Sequence, residues 1–436
     1  MTAQNRRDFL IASAAGAAAL TSAASLKAGG ANDRLRVGLI GAGGRGSYLA
    51  GLYRNTELNV ELVYMADPDA NRLRELAKSL GDKAPKPVSD LRTILDDKSI
   101  DAVIVATPDH WHAPASILAC DAGKHVYVEK PCSHNIREGR LLVEAASRNK
   151  RIVQHGTQVR STSMMIDAVA RLRDGIIGDV LACKAWNIQP RRSIGREQPV
   201  DPPADFDYDL WTGPATMIPY QRNRVHNGWH WWHHFGTGDM GNDGVHDIDY
   251  ARWGLGVETH PSTIVALGGK YFFNDDQEFP DTQQVTFEYA GDGKPGSRRM
   301  FVYEQRLWSS NYPHNVDSGV EFYGTKGQLF LSRRGKAQLL GERNARQEID
   351  FKLKEQDAES HVANFVDAIR NDHPANADAE TAHLTATLCH LGNIATRLGR
   401  SLKFDPATER ITNDEEANQL VSREYRDEHW AKPRGV

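Results

Sequence analysis

Arg36-Val37-Gly38-Leu39-Ile40-Gly41-Ala42-Gly43-Gly44-Arg45-Gly46 decides how this chain is read. Its first five residues have the composition of a buried strand, and Ser47 to Tyr53 begins a helix. Between them lies G-x-G-x-x-G, with the strand before it and the helix after it that the motif requires. Gly41 permits a tight turn, Gly43 lets backbone approach a pyrophosphate, and Gly46 allows close helix packing. The helix N-terminus faces the anion, so Gly44 and Arg45 belong to the same expected cradle. Asp67 closes the second strand roughly twenty residues on, where a carboxylate hydrogen-bonds ribose hydroxyls and repels a 2′-phosphate. NAD is therefore expected in preference to NADP. Asp67-Pro68-Asp69 can also cap the next helix, and the two roles are compatible.

Outward from that turn, short β-rich runs alternate with helical stretches. Val60 to Ala66, Ala102 to Ala106 and His125 to Val128 read as strands. Asn71 to Leu80, Pro114 to Ala122 and Ile136 to Asn149 read as helices. Continuous β-branched runs separated by amphipathic helices predict a doubly wound parallel sheet, a Rossmann domain over residues 34–156. After about Gln158 the rhythm changes. A helix from Met164 to Asp174 leads to strands at Val180 to Ile188, Ser262 to Leu267, Gln284 to Tyr289, Met300 to Gln305 and Gly319 to Tyr323. Without regular crossover helices between them, an open, mostly antiparallel sheet is expected. Two helices, Glu359 to Arg370 and Glu380 to Leu398, complete an α/β domain over residues 157–436 that binds substrate and mediates homo-oligomerisation.

The N-terminus carries Asn5-Arg6-Arg7-Asp8-Phe9-Leu10-Ile11 and an Ala-rich run to about Ala24. Paired arginines before a weakly apolar segment are the pattern of a twin-arginine export signal, assigned to residues 1–30. A periplasmic or otherwise exported protein follows, with no stable membrane insertion after cleavage. The formal net charge of -4 offers no basic footprint for nucleic acid. The four cysteines (Cys120, Cys132, Cys183 and Cys389) form no Cys-x-x-Cys pair and read as buried thiols.

Catalytic candidates cluster in two places. Glu129-Lys130-Pro131 follows the strand ending at Val128, at the sheet edge where ligands of open α/β sheets bind. A lysine there can hold a substrate hydroxyl and stabilise charge as hydride leaves carbon. Farther on, Gly244-Val245-His246-Asp247-Ile248-Asp249 places His246 and Asp249 on one helix face. His246 is the natural acceptor for an alcohol proton, and Asp249 either orients it or binds a substrate hydroxyl.

Taken together, Gly41 to Gly46, Thr107-Pro108 with His112, Ala122-Gly123-Lys124-His125, Glu129-Lys130-Pro131 and Gly244-x-His246-x-x-Asp249 resemble the glucose–fructose oxidoreductase / inositol dehydrogenase (Gfo/Idh/MocA) family. The similarity runs from about Leu35 to Leu398. It implies hydride exchange between a nicotinamide and a sugar or cyclic polyol. Lys130 and His246 match the family's catalytic lysine and histidine, and Thr107, Pro108, His112 and Glu129 fall beside the cofactor. In one respect the chain departs from the family. The position four residues before the histidine, often Asp, is Asn242. An amide takes no proton, so the base role falls on His246, with Asp243 or Asp239 as substitutes.

Six of the nine tryptophans lie between Trp186 and Trp253, densest at Trp229-His230-Trp231-Trp232-His233-His234. Aromatic faces suit the C–H side of a sugar ring, and polar groups address its hydroxyls. Trp231, Asp243, Arg160, Gln158 and Arg191 are read as substrate contacts, Trp211 and Trp253 as core. A metal held by His230, His233 and His234 is not expected, because adjacent strand side chains diverge. Free nicotinamide is scarce outside the cytoplasm, so the NAD(H) is expected to be tightly held. Two chemistries fit: net oxidoreduction of a sugar or cyclitol, or glycoside cleavage by transient oxidation and elimination. A non-catalytic sugar or cofactor sensor is the third reading, and Lys130 and His246 speak against it.

Overall fold

A computed structural model describes residues 34–436; the expected export signal lies outside the described residues. Strands β1 (Leu35–Ile40), β2 (Val60–Ala66), β3 (Lys86–Val88), β4 (Ala102–Val105), β5 (His125–Val128) and β6 (Val153–His155) form one sheet. Its order is β3-β2-β1-β4-β5-β6, and every pair is parallel. The chain reverses winding direction between β1 and β4, which leaves a crevice beyond their C-terminal ends. Central strand β4 is buried at all four residues, as a strand covered on both faces must be.

The helix after β4 spans Asp109–Asp121, five residues earlier than the expected start at Pro114. Pro114 has no N–H for the carbonyl of His110. Arg423, from the far end of the chain, donates its Nη2 to that carbonyl at 2.8 Å. A distant donor thus sustains a helix whose sequence reads as beginning at the proline.

The second sheet has ten strands: β7 (Val180–Asn187), β8 (Thr263–Gly269), β9 (Thr282–Tyr289), β10 (Arg299–Arg306), β11 (Ser318–Gly324), β12 (Gln328–Ser332), β13 (Lys336–Leu340), β14 (Arg346–Gln347), β15 (Leu402–Asp405) and β16 (Arg410–Ile411). They run in the order β14-β13-β12-β11-β7-β10-β9-β8-β15-β16. Only β7 and β10 pair in parallel. Alternation sorts the two faces: Phe301 and Tyr303 point into the core, whereas Met300 is exposed. The inner face packs on helices Ser163–Arg173, Val245–Leu255 and Ala379–Leu398 through Met164, Leu172, Ile248, Leu255 and Leu388. On the outer face Val265, Leu267, Met300 and Tyr323 remain exposed. Among the described residues no helix is long and apolar enough to cross a membrane.

The C-terminal region crosses back over the first sheet. Val362, Phe365 and Val366 share a core with Leu39, Leu49 and Tyr53. Ala431 is buried beside Ile40 and Val105. The two sheets are thereby locked around a common seam, and all four cysteines are buried free thiols.

Candidate active site

At the crevice the first sheet presents a pocket of about 320 Å³. The glycine turn forms its floor. Gly41 has a φ of +98°, and a Cβ there would lie 2.5 Å from the carbonyl oxygen of Ala106. A Cβ on Gly46 would lie 1.9 Å from the carbonyl oxygen of Gly41, so the helix Gly44–Tyr53 reaches the turn only as glycine. Gly43 and Gly44 line the pocket and have open space where a side chain would stand. That gap is what a close-lying pyrophosphate requires, and backbone N–H groups at the start of the helix face it.

Asp67 also lines the pocket. Its Oδ2 accepts the Ala42 N–H at 2.8 Å and its Oδ1 accepts the Asp69 N–H at 2.9 Å. The carboxylate therefore pins the glycine turn from within the pocket. Burial outweighs those bonds and lifts its pKa to about 6. The helix capping falls to Asp69, whose side chain accepts the Asn71 N–H.

The opposite wall comes from the loops after β4 and β5. Thr107, Pro108 and His112 line the pocket, and the His112 ring bridges the carbonyls of Thr107 (2.8 Å) and Pro131 (2.6 Å). Arg45 and Glu129 form an ion pair at 2.7 Å that ties the glycine loop to the lysine loop. Although it is buried, Glu129 stays below the usual carboxylate range because Arg45 and Lys130 are beside it.

With Glu129 taken up by Arg45, the Lys130 ammonium turns to Asn242. Its Nζ donates to the carbonyl of Asn242 and, at 3.2 Å, to that residue's Oδ1. Residues Met240–Gly244 make a π-helical turn before the helix Val245–Leu255, a widening common at functional sites. The Asn242 amide is oriented from both ends, since its Nδ2 donates to Asp239 at 3.1 Å. His246 sits in the first turn of the following helix with its Nδ1 buried and unpartnered among the described residues. Burial, then Arg333 and Lys130, push its pKa well down, so it is neutral near pH 7.

Five expected roles are corrected by the geometry. Asp249 neither orients His246 nor faces the pocket: it grips Arg160 through two bonds of 2.8 and 3.0 Å and accepts from Thr385 at 2.8 Å. Arg160 is correspondingly a core residue, its guanidinium 4.8 Å from the Trp253 ring centroid. A buried guanidinium needs a carboxylate, and that need takes both residues away from substrate. Asp243 bridges Arg333 (2.8 Å) and Arg191 (3.0 Å), which hold it far below the carboxylate range and disqualify it as a base. Asp239 is bonded to Arg191 and Asn187, and burial nevertheless raises its pKa above the ordinary carboxylate value. Trp231 is buried in an aromatic cluster with Phe206, Tyr208 and Tyr220 rather than in the pocket.

The pocket instead receives Trp229, His230, Trp211 and His226. Sequence reading weighed His230 only as a metal ligand. Its ring stacks on Trp229 with centroids 3.5 Å apart, and Nδ1 lies 3.0 Å from the carbonyl of Asn227. That contact makes Nδ1 the protonated nitrogen of the neutral ring, and the Asn242 side chain, which lines the same pocket, is the ring's second polar neighbour. Burial and Lys130 bring its pKa down to about 3. The signal that could have found it was the Trp-His-Trp spacing, but nothing local says which of three histidines turns inward. His233 packs on Phe279 instead. The one three-ligand cluster among the described residues is His260, His383 and Glu409, away from the pocket. Arg140 already occupies the Glu409 oxygen at 2.6 Å, which suits a charge network rather than a cation.

Residues 35–157 match the description "Oxidoreductase family, NAD-binding Rossmann fold". Residues 186–297 and 314–431 match its "C-terminal alpha/beta domain". The chain belongs to the Gfo/Idh/MocA oxidoreductase family. It is 27% identical to a scyllo-inositol 2-dehydrogenase (NAD(+)) of Bacillus subtilis (strain 168) over 300 residues, 68% of this chain and 74% of that protein. A glycosyl hydrolase family 109 protein of Shewanella pealeana is 30% identical over 170 residues, 37% of this chain and 36% of that one. A levoglucosan dehydrogenase in complex with NADH and levoglucosan superposes with a TM-score of 0.66 at 20% identity, covering 85% of this chain and 99% of the other. This Gfo/Idh/MocA member thus carries the family's nicotinamide-binding domain and its sheet domain in one chain.

Proposed function

We propose that the protein moves a hydride between a tightly held NAD(H) and a hydroxyl or carbonyl carbon of a sugar or cyclitol. One observation carries this reading: the glycine turn, Asp67, Lys130 and His230 all line the same pocket. Gly43 and Gly44 leave room for the pyrophosphate, Asp67 takes the ribose, and its charge disfavours a 2′-phosphate. When bound, the nicotinamide supplies the hydride acceptor or donor. Lys130 holds the reacting oxygen and stabilises the charge that develops on it. His230 or His246, both neutral, takes the hydroxyl proton.

Retention of the dinucleotide is supported by the loop of the second domain that folds over its adenosine side. Asp205 pairs with Arg74 at 2.7 Å, His226 with Asp69 at 2.7 Å, and the Asp207 N–H donates to the Pro68 carbonyl at 3.0 Å. The export signal over residues 1–30 is part of the same proposal, since a retained cofactor frees the enzyme from a cytoplasmic pool. Homo-oligomerisation through the exposed sheet face at Val265, Leu267 and Met300 is also proposed.

The second reading, glycoside cleavage, is favoured by two neutral imidazoles near Lys130. After oxidation to a ketone, one of them removes the neighbouring C–H proton, the aglycone leaves with its bonding electrons, and water adds before the ketone is reduced again. The deciding experiment uses purified protein, no added cofactor and an aryl glycoside. Net NADH absorbance with an intact glycoside supports oxidoreduction; aryl release without NADH build-up supports cleavage. If neither NAD nor NADP binds, both readings fail.

A further inference from the structure

A second cavity, of about 660 Å³, lies behind the segment that carries His230 and shares no lining residue with the nucleotide pocket. One wall is a stripe of the helix Ala379–Leu398: His390, Asn393, Ile394 and Arg397, spaced so that they share a face. Facing it are His134 and Asn135, the segment His233–Thr237, and Arg423.

The polar atoms of this cavity are unevenly matched. Asn135, only 4% exposed, directs an Nδ2 that finds no acceptor among the described residues, while its Oδ1 caps the following helix through the Glu138 N–H. Arg423 spends Nη2 on Glu138 (2.7 Å) and on the His110 carbonyl, leaving its buried Nε and Nη1 unpartnered. Arg397 is an exposed lining residue whose side chain makes no hydrogen bond or ion pair with a described residue. Half-buried His134 has both ring nitrogens enclosed, beside the His233 backbone. Against these donors stand Asn393 Oδ1 and one ring lone pair each on the neutral His134 and His234. Of the nearby carboxylates, Glu138 is consumed by Arg423, Tyr425 and the His134 N–H, Glu278 accepts the His233 N–H, and Glu424 is exposed on the rim. Buried donors without acceptors are costly, and so many converging on one cavity call for an acceptor-rich guest.

We propose that this cavity is a second binding site, for a compact oxyanion: the carboxylate or phosphate group of a small metabolite. Arg397 supplies the charge, and Asn135 and Arg423 supply fixed N–H groups.

The test is calorimetric titration of the full-length, NAD-loaded protein with inorganic phosphate and, separately, with gluconate, at constant ionic strength set by sodium chloride. One equivalent of either anion is expected to bind. Preference for phosphate identifies a phosphate ester as the ligand class; preference for gluconate identifies a sugar acid. Arg397→Gln is expected to weaken binding tenfold or more. Asn135→Asp keeps the helix cap, because Asp caps as well as Asn, but turns the donor into a carboxylate and should abolish binding. NAD affinity should stay within about twofold in both variants, which separates this site from the nucleotide pocket. The proposal is overturned if neither anion binds, or if both variants bind as tightly as the parent.

Discussion

The two walls of the active pocket are built in opposite ways. The nucleotide wall is mostly backbone, drawn from consecutive residues at strand ends, and its key feature is side chains that are missing at Gly41, Gly43 and Gly46. The substrate wall is side chains brought from far apart: Lys130 after β5, Asn242 at a π-turn and backed by the Arg191–Asp239 pair, and His230 from a long loop. A wall made of backbone tolerates change only where no Cβ intrudes. A wall made of side chains depends on groups that never touch substrate.

That contrast can be broken most forcefully at Lys130. Lys130→Met should lower kcat about a thousandfold, within the range for losing a group that acts on the transition state, while NAD affinity changes little. Steady-state kinetics beside a cofactor titration checks it; a parallel collapse of NAD binding would make Lys130 part of the nucleotide wall. Next in size is Asp249→Ala, which strands the buried Arg160 and should cost about 3–5 kcal/mol of stability by denaturant unfolding. Loss of activity with unchanged stability would return Asp249 to the substrate side.

His230→Gln should reduce kcat about a hundredfold without altering the shape of the pH–rate profile above about pH 5, since burial and Lys130 hold the His230 pKa at about 3. Added imidazole restoring rate to His230→Ala would mark a proton-transfer role rather than a packing one. Smallest is the pH response of Asp67. Burial raises its pKa to about 6, so it is protonated between its ordinary value and about 6 and ionised above. Only the ionised form accepts fully from a ribose, so NAD affinity should be complete above pH 6 and fall about tenfold as pH drops below it. Tryptophan quenching by NAD across pH 5–8 measures this; a flat profile would leave Asp67 pinning the turn alone.

Legibility in the sequence followed the same divide. The glycine turn, Asp67 and Lys130 were readable because strand, turn and helix are contiguous, and parallel-strand runs announce themselves by unbroken burial, as in Ala102–Val105. The later strands β12 to β16 are short, two to five residues each, too few to show an alternation, and β15 pairs with the distant β8. Asp249 and His246 do share a helix turn, as their spacing requires, yet spacing says nothing of Arg160, which arrives from 89 residues away and claims the carboxylate. Trp231 and His230 are neighbours on one turn, and only the packing of the aromatic cluster decides that the tryptophan goes inward and the histidine to the pocket.

By itself, then, the amino-acid order settled the architecture and the nucleotide cradle, since both arise from local backbone rules and hydrophobic periodicity. Which ionisable groups are spent on one another, and which remain for chemistry, was settled only when the chain closed. A charge leaving water takes the nearest partner in space, and that partner is chosen by packing and not by position along the chain.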